Sequence, residues 1–204
     1  MTGSRSIIVT QDGVNWSTVH VSADSSHRVG GCAHDGTRWL SVVMGGAGPL
    51  FYQSLDGAMS WQAVEGVSTP STLMTHMGDF FYAGGSWVLS SSAGIWTSSD
   101  GVNWTDRSVP GVGGFPLGYG NGVLVGVGGN GVIYRSTDLG QNWTTPASGT
   151  TQTLRSVAYG NGRFVVVGSG GTVLTSTDDG ATWVAQASGT GGDLNVTFGN
   201  GDVS

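Results

Sequence analysis

The sequence has no lysine, a single glutamate, a single cysteine and five prolines in 204 residues. Charged residues make up only 10% of it, against about 25% in an ordinary globular domain. Each shortage excludes something. Seven arginines against twelve aspartates and Glu65 leave a net charge of −6. A nucleic-acid binder needs a basic patch that displaces counterions from phosphates, and an anionic membrane surface needs the same, so neither partner is expected. Cys32 has no second cysteine to pair with, and its apolar neighbours suit a buried, inert thiol. Five prolines without a G-X-Y period exclude collagen. No run approaches the ~18 apolar residues of a membrane span, so no membrane insertion is expected. The opening MTGSRSIIVTQDG lacks the apolar core of a classical signal peptide. Against these shortages stand 38 glycines, eight tryptophans and 38% apolar residues. Disorder would need more charge and fewer aromatics. What remains is a turn-dense, mostly β chain, long enough for one good core.

An internal repeat settles the architecture. Five segments share one pattern: TQDGVNW (10–16), SLDGAMSW (54–61), SSDGVNW (98–104), STDLGQNW (136–143) and STDDGATW (176–183). Their tryptophans, Trp16, Trp61, Trp104, Trp143 and Trp183, recur at intervals near 40, the length of a propeller blade. The clearest copy divides at Gly-containing turns into LRSVAYGNG, RFVVVGSGG, TVLTSTDDG and TWVAQASG, four short β-rich runs. Asn161-Gly162 marks a tight hairpin, repeated at Asn121-Gly122 and Asn200-Gly201. Five residues before each Asp of the pattern stand Ile7, Phe51, Ile95, Ile133 and Val173, and four before it Ile8, Tyr52, Trp96, Tyr134 and Leu174. Successive strand residues face opposite ways, so both faces carry apolar groups, as stacked blades require.

The expected fold class is therefore all-β, a β-propeller of five four-stranded blades over a single domain, 1–204. Four repeats cover about 27–68, 72–112, 113–150 and 153–190. Aligned on the repeat, Ser204 stands opposite Val165 and Met1 opposite Val167, so only one position is absent between the two ends. A fifth blade closed by 1–20 and 194–204 is the expectation, which would remove exposed sheet edges. A fragment of a larger ring is the rival reading.

The five segments resemble the Asp-box, or BNR repeat, Ser/Thr-x-Asp-x-Gly-x-Thr-Trp. STDDGATW matches throughout; STDLGQNW has Asn142 for the usual Thr; TQDGVNW and SSDGVNW lack the residue between Asp and Gly; SLDGAMSW has a shifted Gly. The resemblance implies a β-propeller like those of sialidases, photosystem II assembly factors and many phage and secreted proteins. The box would lie on the hairpin between a blade's third and fourth strands. There Asp12, Asp56, Asp100, Asp138 and Asp178 accept hydrogen bonds from turn amides, while Trp16, Trp61, Trp104, Trp143 and Trp183 pack back over the turn as buried aromatics. The box is a structural device and says little about activity.

Sialidase activity would by resemblance need three arginines, a Tyr paired with a Glu, an Asp acid and an Arg-Ile-Pro segment. The chain has no Arg-Ile-Pro, and Glu65 lies in a connecting segment, QAVEGVS. Arg135, Arg155 and Arg163 read more simply as decoration of exposed strand positions. The four histidines show no metal-pair spacing, Asp178-Asp179 lacks the ligand spacing of a calcium loop, and the Gly-rich GVGGNG and GSGGT precede no helix that would make them phosphate loops. Neither a metal nor a cofactor is expected, nor catalysis. Trp39 and Trp87 align with Leu124 and Phe164 and are read as core. Trp96, with Tyr52 and Tyr134 at the same strand position, is the candidate ligand-binding set, since aromatics beside Asn, Asp and Arg suit sugar rings. The expected function is a non-catalytic structural or attachment module at a virion surface, with protein or glycan partners. A lectin-like propeller outside the cell and a cytoplasmic assembly factor are the alternatives. Oligomeric state is left open by the sequence.

Overall fold

Gly-containing turns cut the chain into short β-branched and aromatic runs, and each run pairs with the next. The computed structural model describes residues 5–9, 17–22, 28–44, 50–68, 77–109 and 116–196. The chain divides into two compact units, 1–114 and 115–204.

In the first unit β1 (Arg5–Val9) pairs antiparallel with β2 (Ser17–Ser22). A four-stranded meander follows, of β3 (Arg28–His34), β4 (Trp39–Met44), β5 (Leu50–Ser54) and β6 (Gln62–Ala63). A second comprises β7 (Met77–Ala83), β8 (Ser86–Ser91), β9 (Gly94–Ser98) and β10 (Thr105–Asp106). In the second unit β11 (Leu117–Gly120), β12 (Val123–Val127) and β13 (Ile133–Ser136) form a three-stranded sheet. The last sheet is four-stranded: β14 (Leu154–Gly160), β15 (Arg163–Gly168), β16 (Val173–Ser176) and β17 (Val184–Gln186). Every pairing between these strands joins neighbours in sequence, as in the meander of a blade, and one isolated parallel bridge links Ser68 to Asn103 of the next sheet.

The hairpin signals take the expected shape. Asn121 and Gly122 have φ 48° and 81°, and Asn161 and Gly162 have φ 51° and 72°. Two consecutive left-handed residues give a turn whose twist matches that of the flanking strands. Asn200-Gly201 lies outside the described residues. GVGGNG and GSGGT each hold a single 3-10 turn, Gly129–Gly131 and Ser169–Gly171, with a left-handed central residue.

Alternation builds one core in each unit. Leu40, Val42 and Phe51 line one face of β3–β6 and meet Trp87, Leu89 and Trp96 of β7–β10. In the second unit Val123, Val125, Val127 and Ile133 meet Val157, Phe164, Val166 and Leu174. At Asp56, Asp100, Asp138 and Asp178 the residue five before thus faces away from the residue four before. All five residues of β9 are buried, so both its faces are covered.

One part of the four-strand expectation needs correction. After β13 the chain makes a single bridge, with Arg135 and Thr144 exchanging N–H···O bonds of 2.9 and 2.8 Å, and then runs on without a further ladder bond until Ser148 and Thr150 pack against Gly131. The third residue after each pattern tryptophan is Val19, Val64, Arg107, Pro146 or Gln186. Val64 N–H donates to the Phe51 carbonyl at 2.8 Å and Arg107 N–H to the Ile95 carbonyl at 2.7 Å. Val19 pairs with Ile7, and Gln186 with Val173. Pro146 has no N–H to offer Ile133, so the fourth strand ends there.

The repeat also continues past β17. Leu194 N–H donates to the Gly168 carbonyl at 3.2 Å, as Leu154 N–H does to the Gly128 carbonyl at 3.0 Å. Closure of the first sheet by the C-terminal segment falls largely on 197–204, which lie outside the described residues.

Candidate functional site

The repeated turn between third and fourth strands holds most of the unusual polar chemistry. Asp56 accepts from Ser54 Oγ (2.7 Å), Met59 N–H (3.0 Å) and Ser60 N–H (2.9 Å), and from Ser60 Oγ at its second oxygen. Asp100 accepts from Ser98 Oγ, the Val102 and Asn103 amides, and Asn103 Nδ2. Asp138 is held by Ser136 Oγ, Asn142 N–H and Asn142 Nδ2, and Asp178 by Ser176 Oγ, Thr182 N–H and Thr182 Oγ1. The serine hydroxyl in turn accepts from a buried turn amide, of Ala58, Gly101, Gly140 or Gly180. Asp12 and Trp16 lie outside the described residues.

At the four described turns the residue in the Thr position varies without loss of its bond to the carboxylate. Ser60, Asn103, Asn142 and Thr182 each donate a side-chain hydrogen bond to the same carboxylate oxygen. Asn142→Thr should therefore change stability by less than about 0.5 kcal/mol, whereas Asn142→Val should cost about 1 kcal/mol, the worth of an exposed hydrogen bond to a charged group. Urea unfolding of the two variants side by side checks this.

These bonds hold the carboxyls low. Asp56 is lowered to about 2, first by the Ser60 hydroxyl, then by the Ser60 amide and Ser54. Asp178 is lowered to about 2 by Thr182 through hydroxyl and amide, then by Ser176. Asp100 lies further below the usual range, through the Asn103 amide and side chain and the Val102 amide. At Asp138 burial pushes upward, and the Asn142 and Ser136 bonds outweigh it. A folded pKa below the unfolded value of about 3.9 gives stability that is complete above that pH and lost as pH falls through the folded value. Unfolding midpoints should thus be flat from pH 7 to 5 and fall between about pH 4 and 2, and less steeply in Asp178→Asn. A midpoint unchanged down to about pH 2.5 would contradict the assignment.

The tryptophans divide. Trp61 and Trp183 are half-buried, and their indole N–H groups donate to the Ala58 and Gly180 carbonyls at 3.1 Å. Trp143 is also half-buried, edge-on to Tyr134 at 6.5 Å. Of the four described tryptophans of the repeated pattern, only Trp104 is buried. The expectation of buried aromatics fails for the other three because they cap a surface turn rather than fill the core. Trp87 is core as expected, whereas Trp39 is half-buried and sits 5.0 Å from the exposed His34.

The candidate ligand set also needs correcting. Trp96 is 1% exposed, with its indole enclosed between sheets, so it cannot stack on a ligand. Tyr52 and Tyr134 remain half-buried. Cys32, expected as a buried thiol, is half-buried, and partial burial raises its thiol above the usual range.

Two arginines missed as functional in the sequence tie neighbouring sheets together. Arg38 Nη2 donates at 2.6 Å to the Asp100 carbonyl, Nη1 donates to Gln53, and the guanidinium lies 5.8 Å from the Trp87 ring centre. Arg135, expected as exposed decoration, is half-buried and donates from Nε at 2.7 Å to the Asp179 carbonyl. Both target the residue just before the turn glycine of the following sheet. The signal was faint, because the two arginines occupy different repeat positions. Among the described residues no three His, Cys, Asp or Glu groups come together as a metal site.

An open groove of about 650 Å³ is lined by 130–133 and 145–151. Its walls carry amide, hydroxyl and small apolar groups and no charge.

Meander sheets stacked within each unit and recurring near every 40 residues define a β-propeller. Solved structures of the same fold include YCF48 bound to a D1 peptide, at 19% identity and TM-score 0.67, covering 91% of this chain and 61% of that one. A GH74 enzyme of Niastella koreensis matches at 16% identity and TM-score 0.63, over 85% of this chain and 33% of that one. A nidogen–laminin complex matches at 11% identity and TM-score 0.57, over 90% and 72%. This chain thus spans less than two thirds of the first and about a third of the second. No protein-family model and no curated protein matches the sequence.

Proposed function

We propose that this chain is a non-catalytic β-propeller module that binds protein partners, as a structural or attachment component of a virion surface. One observation carries the non-catalytic half. Asp56, Asp100, Asp138 and Asp178 are each tied into a turn and held below the usual carboxyl range, so none retains a proton to donate at neutral pH. Glu65 is exposed in a connecting turn. Because an enzyme and a peptide-bound protein share the fold, fold alone does not decide between them. The protein-binding half is supported by the D1 peptide on YCF48 and by the nidogen–laminin complex. Glycan binding is less well supported, because burial of Trp96 removes one of its three aromatics. The virion setting rests on composition: no lysine, little charge and a chain rich in Gly, Ser and Thr.

Purified protein should release no sugar from model glycosides, and Glu65→Gln should leave that baseline unchanged. Turnover lost in Glu65→Gln would overturn the non-catalytic reading. Mass spectrometry of purified particles from the source should find the chain in stoichiometric amount; its absence would remove the virion setting.

A further inference from the structure

We propose that β17 is a self-association edge, on which a second copy of this chain adds its own β17 antiparallel about a two-fold axis. The inference is independent of the partner-binding reading above, since it needs no other protein. It starts from what the outer strands carry. An outer strand leaves a row of N–H and C=O groups open to another strand, and charge or proline on that strand keeps others away. β2 reads STVHVS and carries His20; β6 is two residues long and runs on to Glu65. β10 holds Asp106 and runs into Arg107, and the segment after β13 holds Pro146. β17 reads VAQ and continues as AS, with neither a titratable group nor proline. Its three residues and Ala187 are exposed, and Val184, at 60%, is an exposed large hydrophobic.

The ladder fixes which backbone groups of β17 are free. Thr144, one residue after Trp143, exchanges both backbone bonds with Arg135; Val184 is paired with Thr175 at the same place in the last sheet. Val64 and Arg107, three residues after Trp61 and Trp104, donate to Phe51 and Ile95; Gln186 is paired with Val173 at that place. Val184 and Gln186 therefore turn their backbone groups inward to β16. Ala185, between them, turns its N–H and carbonyl outward, because successive residues of an antiparallel ladder bond to opposite sides.

A two-fold axis through Ala185 makes this edge complementary to itself. The Ala185 N–H of each copy meets the Ala185 carbonyl of the other. Val184 then stands opposite Gln186 on either side, an apolar group beside a neutral amide, and no like charges are brought together. Such a contact is isologous and closed, so no edge remains to extend the assembly into a fibre. The edge is also short. After Ala187 the chain turns in, with Ser188 Oγ and the Thr190 carbonyl against Gly171. A few residues a side bury well below the ~1,200 Å² of a stable interface, so the dimer is weak and forms at high concentration. Each copy carries a net charge of −6 while the contact itself is neutral, so the two bodies repel and salt strengthens their association.

Sedimentation of the full chain from micromolar to millimolar concentration should show a reversible approach to a dimer, favoured by added salt. The Ala185 amide should gain protection from hydrogen exchange only at the upper end, a measurement that needs no variant. Ala185→Lys sets two like charges against each other across the axis and should weaken association by about fivefold or more. Ala185→Glu should do the same. Mixing the two variants should restore association, because a lysine then meets a glutamate, and this rescue is specific to the two-fold register. The site is exposed, so an unchanged melting temperature should show that both variants remain folded. A chain monomeric throughout, a dimer indifferent to Ala185→Lys, or a mixture no tighter than either variant alone would each overturn the proposal. A monomer whose Ala185 amide is protected only in purified particles would also overturn it, and would give the edge to another protein.

Discussion

Trp87→Ala is expected to destabilise the first unit by about 3–5 kcal/mol, the range for deleting a large aromatic from a core. The side chain is 0% exposed. It stacks on Phe80 with ring centres 5.9 Å apart, meets Tyr82 edge-on at 4.9 Å, and lies under the Arg38 guanidinium. Deletion would open a cavity where two sheets meet and release the arginine that holds the Asp100 turn. Trp87→Phe should lose less than half as much, for two reasons. Phe164 fills the equivalent place in the second unit, and the buried Trp87 indole N–H has no partner, so removing it relieves an unpaired donor. Hydrogen exchange separates the units: β8 amides should lose protection while β15 amides keep theirs. A loss below about 1 kcal/mol for Trp87→Ala would show that the core collapses around the gap.

Gly171→Ala should destabilise the second unit by about 2–5 kcal/mol, from two strains that add. Its φ is +70°, a left-handed conformation costing an L side chain roughly 1–2 kcal/mol. A β-carbon there would also drive into the Thr190 carbonyl oxygen and Ser188 Oγ, and overpacking against backbone adds about 1–3 kcal/mol. Gly171 N–H already donates to the Gly192 carbonyl at 2.7 Å, so the loop cannot simply retreat. Gly191→Ala is the control: nothing lies within 4 Å of its β-carbon position and its φ is ordinary. It should fall within about 0.5 kcal/mol of the parent. Equal urea midpoints for the two variants would refute the close-packed reading of this turn.

The pattern of polar turns was legible because its chemistry is local. Ser54, Asp56 and Ser60 lie within seven residues of one another, and their bonds follow from that short stretch alone. Strand boundaries of β14 to β17 were legible for the same reason, since Asn161-Gly162 and the glycines after β15 and β16 set the turns. Pro146 was legible in principle: aligned on Trp143 and Trp183, it stands where Gln186 completes a pair.

By itself, then, the sequence determined the class of fold, the period, the faces of the strands and the polar turns, all of which depend on residues close in the chain. Tertiary structure alone decided which aromatics are enclosed and which arginines matter. Trp96 and Tyr134 occupy the same repeat position, yet one is buried and the other half-exposed, because burial depends on the neighbouring sheet and not on the strand's own alternation. Arg38 and Arg135 begin at different repeat positions and each reaches the carbonyl just before the turn glycine of the following sheet, that of Asp100 or Asp179. That convergence arises from how two sheets stack, which no spacing within one repeat encodes.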